Sequence, residues 1–371
     1  SLSLNCHLFS NSYTLISNMK QTHKRFTIIT ILVIFLVYFL IIVINFILDP
    51  FGIHSVRDTY LNDGRYERYQ NIGIIRNSSY DSIITGSSLS ENMKPSLIDG
   101  SLSNTIKIPI SGASAREQSM LINSSNLKNV QKIIWDVHYT AYKGSADRMH
   151  DSIPFPQYLY DESIINDLQF YGSFDSVKFS FKKVFFSKKY FSSNFDEIYN
   201  WYDAYKSTFN RDSVYKYIEN KQSMPVDCTE YTFSNLRNSF VVNILPIIKN
   251  NPNIEFKMWI PPYTHYYYLD MYKCKSLEDI LEFKKYLIVE FDKFKNVKMY
   301  DFSIDYKTIN NLDNYKDTHH FNQKISDKIL LEMQTEEFLV NKADMNKNIK
   351  HYKEYLINRM DKDDQNVPYK L

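Results

Sequence analysis

The sequence is poor in cysteine, glycine and proline, and neither charge is in excess. Three cysteines in 371 residues, Cys6, Cys228 and Cys274, cannot form a disulfide framework that holds a fold together. Eight glycines and eleven prolines exclude collagen-like and Gly/Pro-rich low-complexity chains. Lys and Arg number 44 against 42 Asp and Glu, a net charge of +2, so there is no bulk basic field for gripping nucleic acid. There is no internal repeat and no Cys/His spacing of the zinc-finger or His-Glu-x-x-His type, so neither a metal site nor a cofactor is expected. What is abundant is apolar: 44% of residues are hydrophobic and 23% charged, the composition of a folded chain. Richness in Lys, Asn, Ile, Tyr and Phe beside so little Gly fits an A+T-rich coding sequence and suggests a bacterial source.

One long apolar run stands out. Phe26 to Leu48 contains 23 residues without a charge, enough at about 1.5 Å per residue to cross a hydrocarbon core of about 30 Å. Lys20, Lys24 and Arg25 precede it and Asp49 follows. The positive-inside rule therefore places the N-terminus in the cytoplasm and everything after Asp49 outside. A cleaved signal peptide would have a shorter apolar core ending in small residues, whereas this run ends Asn-Phe-Ile-Leu-Asp-Pro. An uncleaved anchor in the bacterial cytoplasmic membrane is expected, with residues 1–25 as an upstream cytoplasmic segment; residues 1–18, ahead of Met19, read as sequence outside the fold. Cys228 and Cys274 would share the oxidising outer compartment and are free to pair or not.

Beyond the anchor, short β-branched runs alternate with helical patterns. Asp81–Thr85, Ile106–Ile110, Lys132–His138, Ile254–Ile260 and Val297–Phe302 read as strands. Candidate helices lie near 91–98, 115–126, 233–250 and 276–294. This alternation predicts a parallel sheet covered on both faces, in an α/β domain over 51–335. It breaks between about 140 and 228, where Tyr and Phe crowd among Lys, Asp and Ser; the stretch reads as an insertion, either a helical cap packed by aromatics or a lid whose rings meet sugars. Residues 336–371 carry apolar residues at helical spacing from about Thr335 to Arg359 and predict an amphipathic surface helix.

Two sites carry candidate chemistry. The first strand runs into Gly86-Ser87-Ser88. In a parallel sheet, sites form beyond the carboxyl ends of strands, and a helix starting just after Ser88 would present N–H groups to an oxyanion. Ser at such a place is also an ordinary N-cap. Near the end stands Asp317-Thr-His319-His320. An Asp three residues before a His can hold one imidazole nitrogen while the other takes a proton from a serine hydroxyl; alternatively Asp317 caps a helix and the histidines are incidental.

These blocks, with Gly112 in Ile-Ser-Gly-Ala-Ser after the second strand, resemble the layout of SGNH/GDSL-type hydrolases. The likeness is nearest to membrane-anchored bacterial members, the alginate O-acetyltransferase-like proteins and the D-alanyl transfer protein of teichoic acid synthesis. The anchor running into Leu48-Asp-Pro-Phe-Gly52, and Trp259-Ile-Pro-Pro-Tyr263 at a strand end, are similar to that group as well. The resemblance implies a flavodoxin-like three-layer sandwich with Ser88 as nucleophile, His320 as base and Asp317 as its orienting acid. The N–H groups of Ser88 and Gly112 would line the oxyanion hole. It implies transfer of an acyl group, acetyl first, on a cell-surface polysaccharide, with a multispanning membrane acyltransferase as a candidate partner. A carbohydrate esterase with the same triad, or a non-catalytic glycan-binding protein of the envelope, are the alternatives. The sequence departs from the family pattern in having Ser87 at the middle of the Gly-Asp-Ser motif and in lacking the Gly-x-Asn-Asp block, where it reads Trp135-Asp136-Val-His138. The third oxyanion donor is thus open, with Asn92 or a backbone group as candidates. Asp136, His138 and Tyr263, at strand ends, are candidate pocket residues or packing; His319 is a further pocket candidate and competes with His320 as base.

Overall fold

The computed structural model describes residues 2–99, 104–222 and 228–366; Ser1, the end of the expected insertion at 223–227 and the tail at 367–371 lie outside them. The chain divides into two compact units, one of residues up to Pro50 with Ser163–Ser187, the other of Phe51–Glu162 with the chain from Lys188 onward.

In the second unit, five strands form one parallel sheet: β1 (Ser82–Thr85), β2 (Thr105–Lys107), β3 (Lys132–Asp136), β4 (Glu255–Ile260) and β5 (Val297–Asp301). Their spatial order is β2-β1-β3-β4-β5, every pair parallel, the flavodoxin-like doubly wound order. Every residue of β1 and β2 is buried, as are the last four of β3. Strands covered on both faces need apolar residues on both, which is why they read as continuous Ile-rich runs and not as alternation. Strand order reverses between β1 and β3, and sites in such sheets open at that switch point.

The helices follow their caps. Helix α2 covers Glu67–Asn77. Helix α3 (Ala115–Asn123) starts with a capping box, Ser114 N donating to Glu117 Oε2 at 2.9 Å and Glu117 N to Ser114 Oγ at 3.2 Å. The helix expected over 233–250 is two, Phe233–Asn243 and Leu245–Asn250, because Pro246 lacks an N–H and its ring collides with the carbonyl four residues back. The helix expected over 91–98 shrinks to Ser96–Asp99, since Pro95 disfavours helical backbone at Lys94. The C-terminal helix begins later than its pattern suggests. A helix over Gln323–Thr335 stops at Glu336, in left-handed conformation (φ 60°). Residues 336–340 then lie along β5, with Asp301 N donating to Phe338 O and Val340 N to Met299 O, covering what would be an open sheet edge. Only then does the helix Met345–Asn366 form, burying Tyr352, Leu356 and Met360 at helical spacing.

Cys228 and Cys274 are disulfide-bonded with Cα atoms 5.8 Å apart, 46 residues apart in sequence. Closing a loop of that length restricts the unfolded chain by about 2–4 kcal/mol. Cys228→Ser or Cys274→Ser should therefore lower unfolding stability by that amount, and reductant should do the same to wild type but not to the variants. Equal denaturant midpoints for wild type and variants would refute this.

The first unit contains α1 (Leu2–Leu48), whose residues Thr22–Leu48 are long and apolar enough to cross a membrane. It ends where Asp49 takes a positive φ (39°) and Pro50 follows. Beside it stand α4 (Ile164–Tyr171) and α5 (Phe174–Tyr190), the middle of the stretch read as an insertion. Asn45 Nδ2 donates to Tyr171 O at 2.7 Å, and Tyr171 donates its hydroxyl to Asp49 Oδ1 at 2.9 Å.

Candidate active site

The two candidate blocks, 232 residues apart, meet beyond the carboxyl end of β1. Ser88 Oγ lies 2.9 Å from His320 Nε2, and His320 Nδ1 lies 2.7 Å from Asp317 Oδ2. The other carboxylate oxygen of Asp317 accepts the backbone N–H groups of His319 (2.9 Å) and His320 (2.8 Å). Burial alone would raise the Asp317 pKa, but the two imidazoles and these hydrogen bonds outweigh it and hold the carboxyl well below the usual range. Asp317 is thus a fixed anion, and an imidazole facing it presents N–H at Nδ1 and a lone pair at Nε2, the tautomer that a base acting on Ser88 requires.

The loop carrying Asp317 and His320 is tied to the end of β4. Thr264 Oγ1 donates to Thr318 O at 2.8 Å, Thr264 N donates to the same oxygen at 3.2 Å, and Tyr315 OH donates to Pro262 O at 2.6 Å. Lys316 N closes the turn on His320 O at 3.1 Å, and Asn322 Oδ1 then caps the following helix through Ile325 N.

The turn that presents Ser88 is held by Asp136. Its Oδ2 accepts Ser87 N (2.6 Å), Ser87 Oγ (3.0 Å) and Ser90 Oγ (2.8 Å). Burial pushes this carboxyl up to about 6 in spite of those bonds. The turn is completed by Ser90 N to Ser87 O at 3.0 Å and Ser90 Oγ to Thr85 O at 3.1 Å. The helix expected directly behind Ser88 is therefore absent, and with it the expected help of a helix N-terminus; a serine-lined turn stands in its place. Gly86 makes room for the clamp: at φ 132° it would carry a Cβ only 2.2 Å from Asp136 Oδ2.

Gly112, also at positive φ (64°), follows the segment in which Ile108 N donates to Ile84 O and Ile110 N to Gly86 O, so it stands beside the Gly86–Ser88 turn. The peptide before it is gripped at both polar atoms of Ser111, whose N–H donates to Glu67 Oε2 (2.5 Å) and whose carbonyl accepts Arg68 Nη1 (3.1 Å). Arg68 in turn pairs with buried Glu117 at 2.9 Å. In a trans peptide the N–H points opposite to the carbonyl, so Arg68 turns the Gly112 N–H away from itself. Glu67 lies beside Glu91 in the core; burial first, then the neighbouring carboxyl, raises Glu67 well above the ordinary value, and burial lifts Glu91 to about 7.

The remaining candidates take distinct places. Asn92 Oδ1 accepts Trp201 N at 3.0 Å and its carbonyl accepts Gln323 Nε2 at 2.6 Å. That brings the Trp201 ring edge-on to His320, centroids 5.6 Å apart, with Lys316 Nζ 4.3 Å above the indole. His138 is hydrogen-bonded through Nδ1 to the buried Tyr263 hydroxyl and stacks on His319 at 6.1 Å. His319 Nδ1 is 3.3 Å from Asp317 Oδ1, while its ring packs on Tyr267; the hydrogen bond to Ser88 comes from His320. Ligand atoms of Asp317, His319 and His320 lie within 4.8 Å of one another, a spacing a metal ion could use, but both His320 nitrogens are engaged by Ser88 and Asp317. Trp201 and Arg68 were missed in the sequence: Trp201 is one ring in an aromatic-rich stretch, and nothing local marks Arg68. The one available signal was a Ser114-x-x-Glu117 capping box that marks its partner Glu117.

Burial holds His319 neutral, lowering its pKa to about 3 despite Asp317, while an unfolded imidazole takes a proton below about 6.5. The stability it contributes is present above about pH 6.5 and lost as pH falls towards 3. The stability difference between wild type and His319→Gln should therefore shift against wild type by up to about 1.4 kcal/mol per pH unit between 6.5 and 4. Paired urea titrations across that range check this; a difference independent of pH would mean that the folded ring accepts the proton.

No protein-family model and no curated protein matches the sequence. A solved structure from Streptococcus pneumonia, described as that of "a putative platelet activating factor", aligns over 74% of this chain and 90% of its own, with 10% identity and a TM-score of 0.37. At that similarity it bears on neither fold nor function.

Proposed function

We propose that this chain is an anchored serine acyltransferase of the SGNH type, moving an acyl group, acetyl first, on a bacterial cell-surface polysaccharide. The observation that supports it is the continuous line from Ser88 Oγ through His320 to Asp317, at 2.9 and 2.7 Å. As Ser88 Oγ bonds to the carbonyl carbon of an ester donor, His320 Nε2 takes its proton, and Asp317 stabilises the imidazolium. The oxyanion falls to backbone N–H groups, for which Ser88 and Gly112 are the candidates. The tetrahedral species collapses by breaking the bond to the leaving oxygen, which leaves with the proton from His320. The acyl-serine then meets a hydroxyl; His320 takes that proton, the new ester forms, and the proton returns to Ser88. Water and a sugar hydroxyl are alternative acceptors at this second step, so esterase and transferase share the first.

The disulfide supports an outward-facing domain, because such bonds persist in oxidising compartments. The test is a pre-steady-state assay of the full chain in detergent with p-nitrophenyl acetate, followed by intact mass. A burst with one acetyl added at Ser88 is expected; a well-folded protein that never acquires the adduct, from this or other acetyl and alanyl esters, refutes the reading. Adding oligosaccharide and identifying O-acetylated product separates transfer from hydrolysis.

A further inference from the structure

Helix α5 buries a side made mostly of serine and leaves its apolar face exposed. At 100° per residue, Ser176, Phe179 and Ser180 lie on the buried side. Phe174, Val177, Phe181, Val184 and Phe185 fall within an arc of about 100° on the opposite side, and all five are exposed, Phe174 by 81% and Phe185 by 64%. Lys178 and Lys182 border that arc. Helix α4 adds Ile164 and Ile165, the latter 82% exposed. A water-facing helix puts its polar side outward; a single apolar surface of this extent marks a binding face.

What covers it is indicated by α1, which belongs to the same compact unit. The turn between α4 and α5 rests against α1 so closely that a Cβ on Gly172 would come within 2.3 Å of Tyr38 Oη. Asn45 and Phe46 hold Tyr171, and Lys183 Nζ donates to the last carbonyls of α1, Leu48 O and Asp49 O, at 3.2 Å each. Tyr38 and Asn45 lie about 15 and 5 Å along the helix from Leu48, so the tip of the hairpin sits at the level of the apolar span and not beyond it. Backbone at that depth must have its polar groups satisfied, and Asn45 serves Tyr171 O in this way.

We propose that the α4–α5 hairpin is a second membrane contact: its apolar stripe faces the lipid of the leaflet reached by the C-terminal end of α1, running from the headgroups near Lys182 towards the level of Tyr38 at its tip. This rests on α1 spanning the bilayer. Aromatic and aliphatic residues on one side with lysines at its border are a composition suited to the boundary between acyl chains and headgroups.

The test uses the full chain reconstituted into phosphatidylcholine/phosphatidylglycerol bilayers containing acyl-brominated lipids. Phe181→Trp and Phe185→Trp report on the hairpin and Phe39→Trp on the span, each against wild-type emission from Trp135, Trp201 and Trp259. The added emission should fall about twofold or more at all three positions, with positions 181 and 185 quenched best by bromines near the headgroups. Quenching at 39 alone overturns the hairpin contact while leaving the span. A blue-shifted but unquenched signal at 181 and 185 means that protein covers the stripe, and also overturns it. No quenching at 39 removes the spanning helix itself, and the hairpin contact with it.

Discussion

Replacing Ser88 by alanine should reduce acyl transfer by about 10⁴–10⁶ and leave the unfolding transition unchanged. The side chain is half-buried at the mouth of a turn, and its Oγ is hydrogen-bonded to His320, so its loss leaves no buried polar atom stranded in a dry core. Groups that act as one unit fail together. Ser88→Ala, His320→Ala and the double variant should therefore have nearly the same residual rate. Asp317→Asn should lose less than either, because it keeps the geometry while offering the wrong partner to Nδ1. The measurement is single-turnover release of p-nitrophenol with thermal unfolding in parallel. Independent, multiplicative losses would mean that Ser88 and His320 do not share one step; unchanged rates would remove Ser88 as nucleophile.

The largest effect on the fold should come from Gly86→Ala. The added Cβ would lie 2.2 Å from Asp136 Oδ2 and 2.5 Å from its Cγ, at a φ of 132° that residues with a side chain rarely adopt. Either the carboxylate retreats and gives up Ser87 N, Ser87 Oγ and Ser90 Oγ, or β1 shifts in the middle of the sheet. A loss of about 3 kcal/mol or more is expected. Acyl-serine formation should fall in whatever fraction remains folded, since the turn that aims Ser88 is the one disturbed. Urea titration and the burst amplitude measure the two separately. Wild-type stability with a wild-type burst would show that the turn tolerates the methyl and that Asp136 is not the clamp.

Periodicity made much of the scaffold legible. The five strands were readable because β-branched runs such as Ser82–Thr85 carry their own signature, and the apolar span because Phe26–Leu48 needs nothing from the rest of the chain to be recognised. Helix limits were less so. Pro246 and Pro95 shortened two elements, and pairing of residues 336–340 with the sheet edge displaced the last one, a choice made by an unpaired strand and not by helical spacing. Asp317 and His320 were legible as a pair because three residues of spacing suffice to join them.

The sequence by itself determined which segments become strands, which run is apolar enough for a bilayer, and which Asp and His lie within hydrogen-bond reach of each other, because each of these is a property of neighbouring residues. Only the tertiary structure decided that Ser88 faces His320 from 232 residues away. It also set Asp136 under the Gly86–Ser88 turn, joined Cys228 to Cys274, and laid α4 and α5 against α1. Those outcomes depend on how the strands order themselves in the sheet and on which side chains can be satisfied once water is excluded. A carboxylate read as a pocket residue became the support of a turn because the donors of the three hydrogen bonds it accepts lie in the turn after β1, which it meets only when β1 and β3 are side by side.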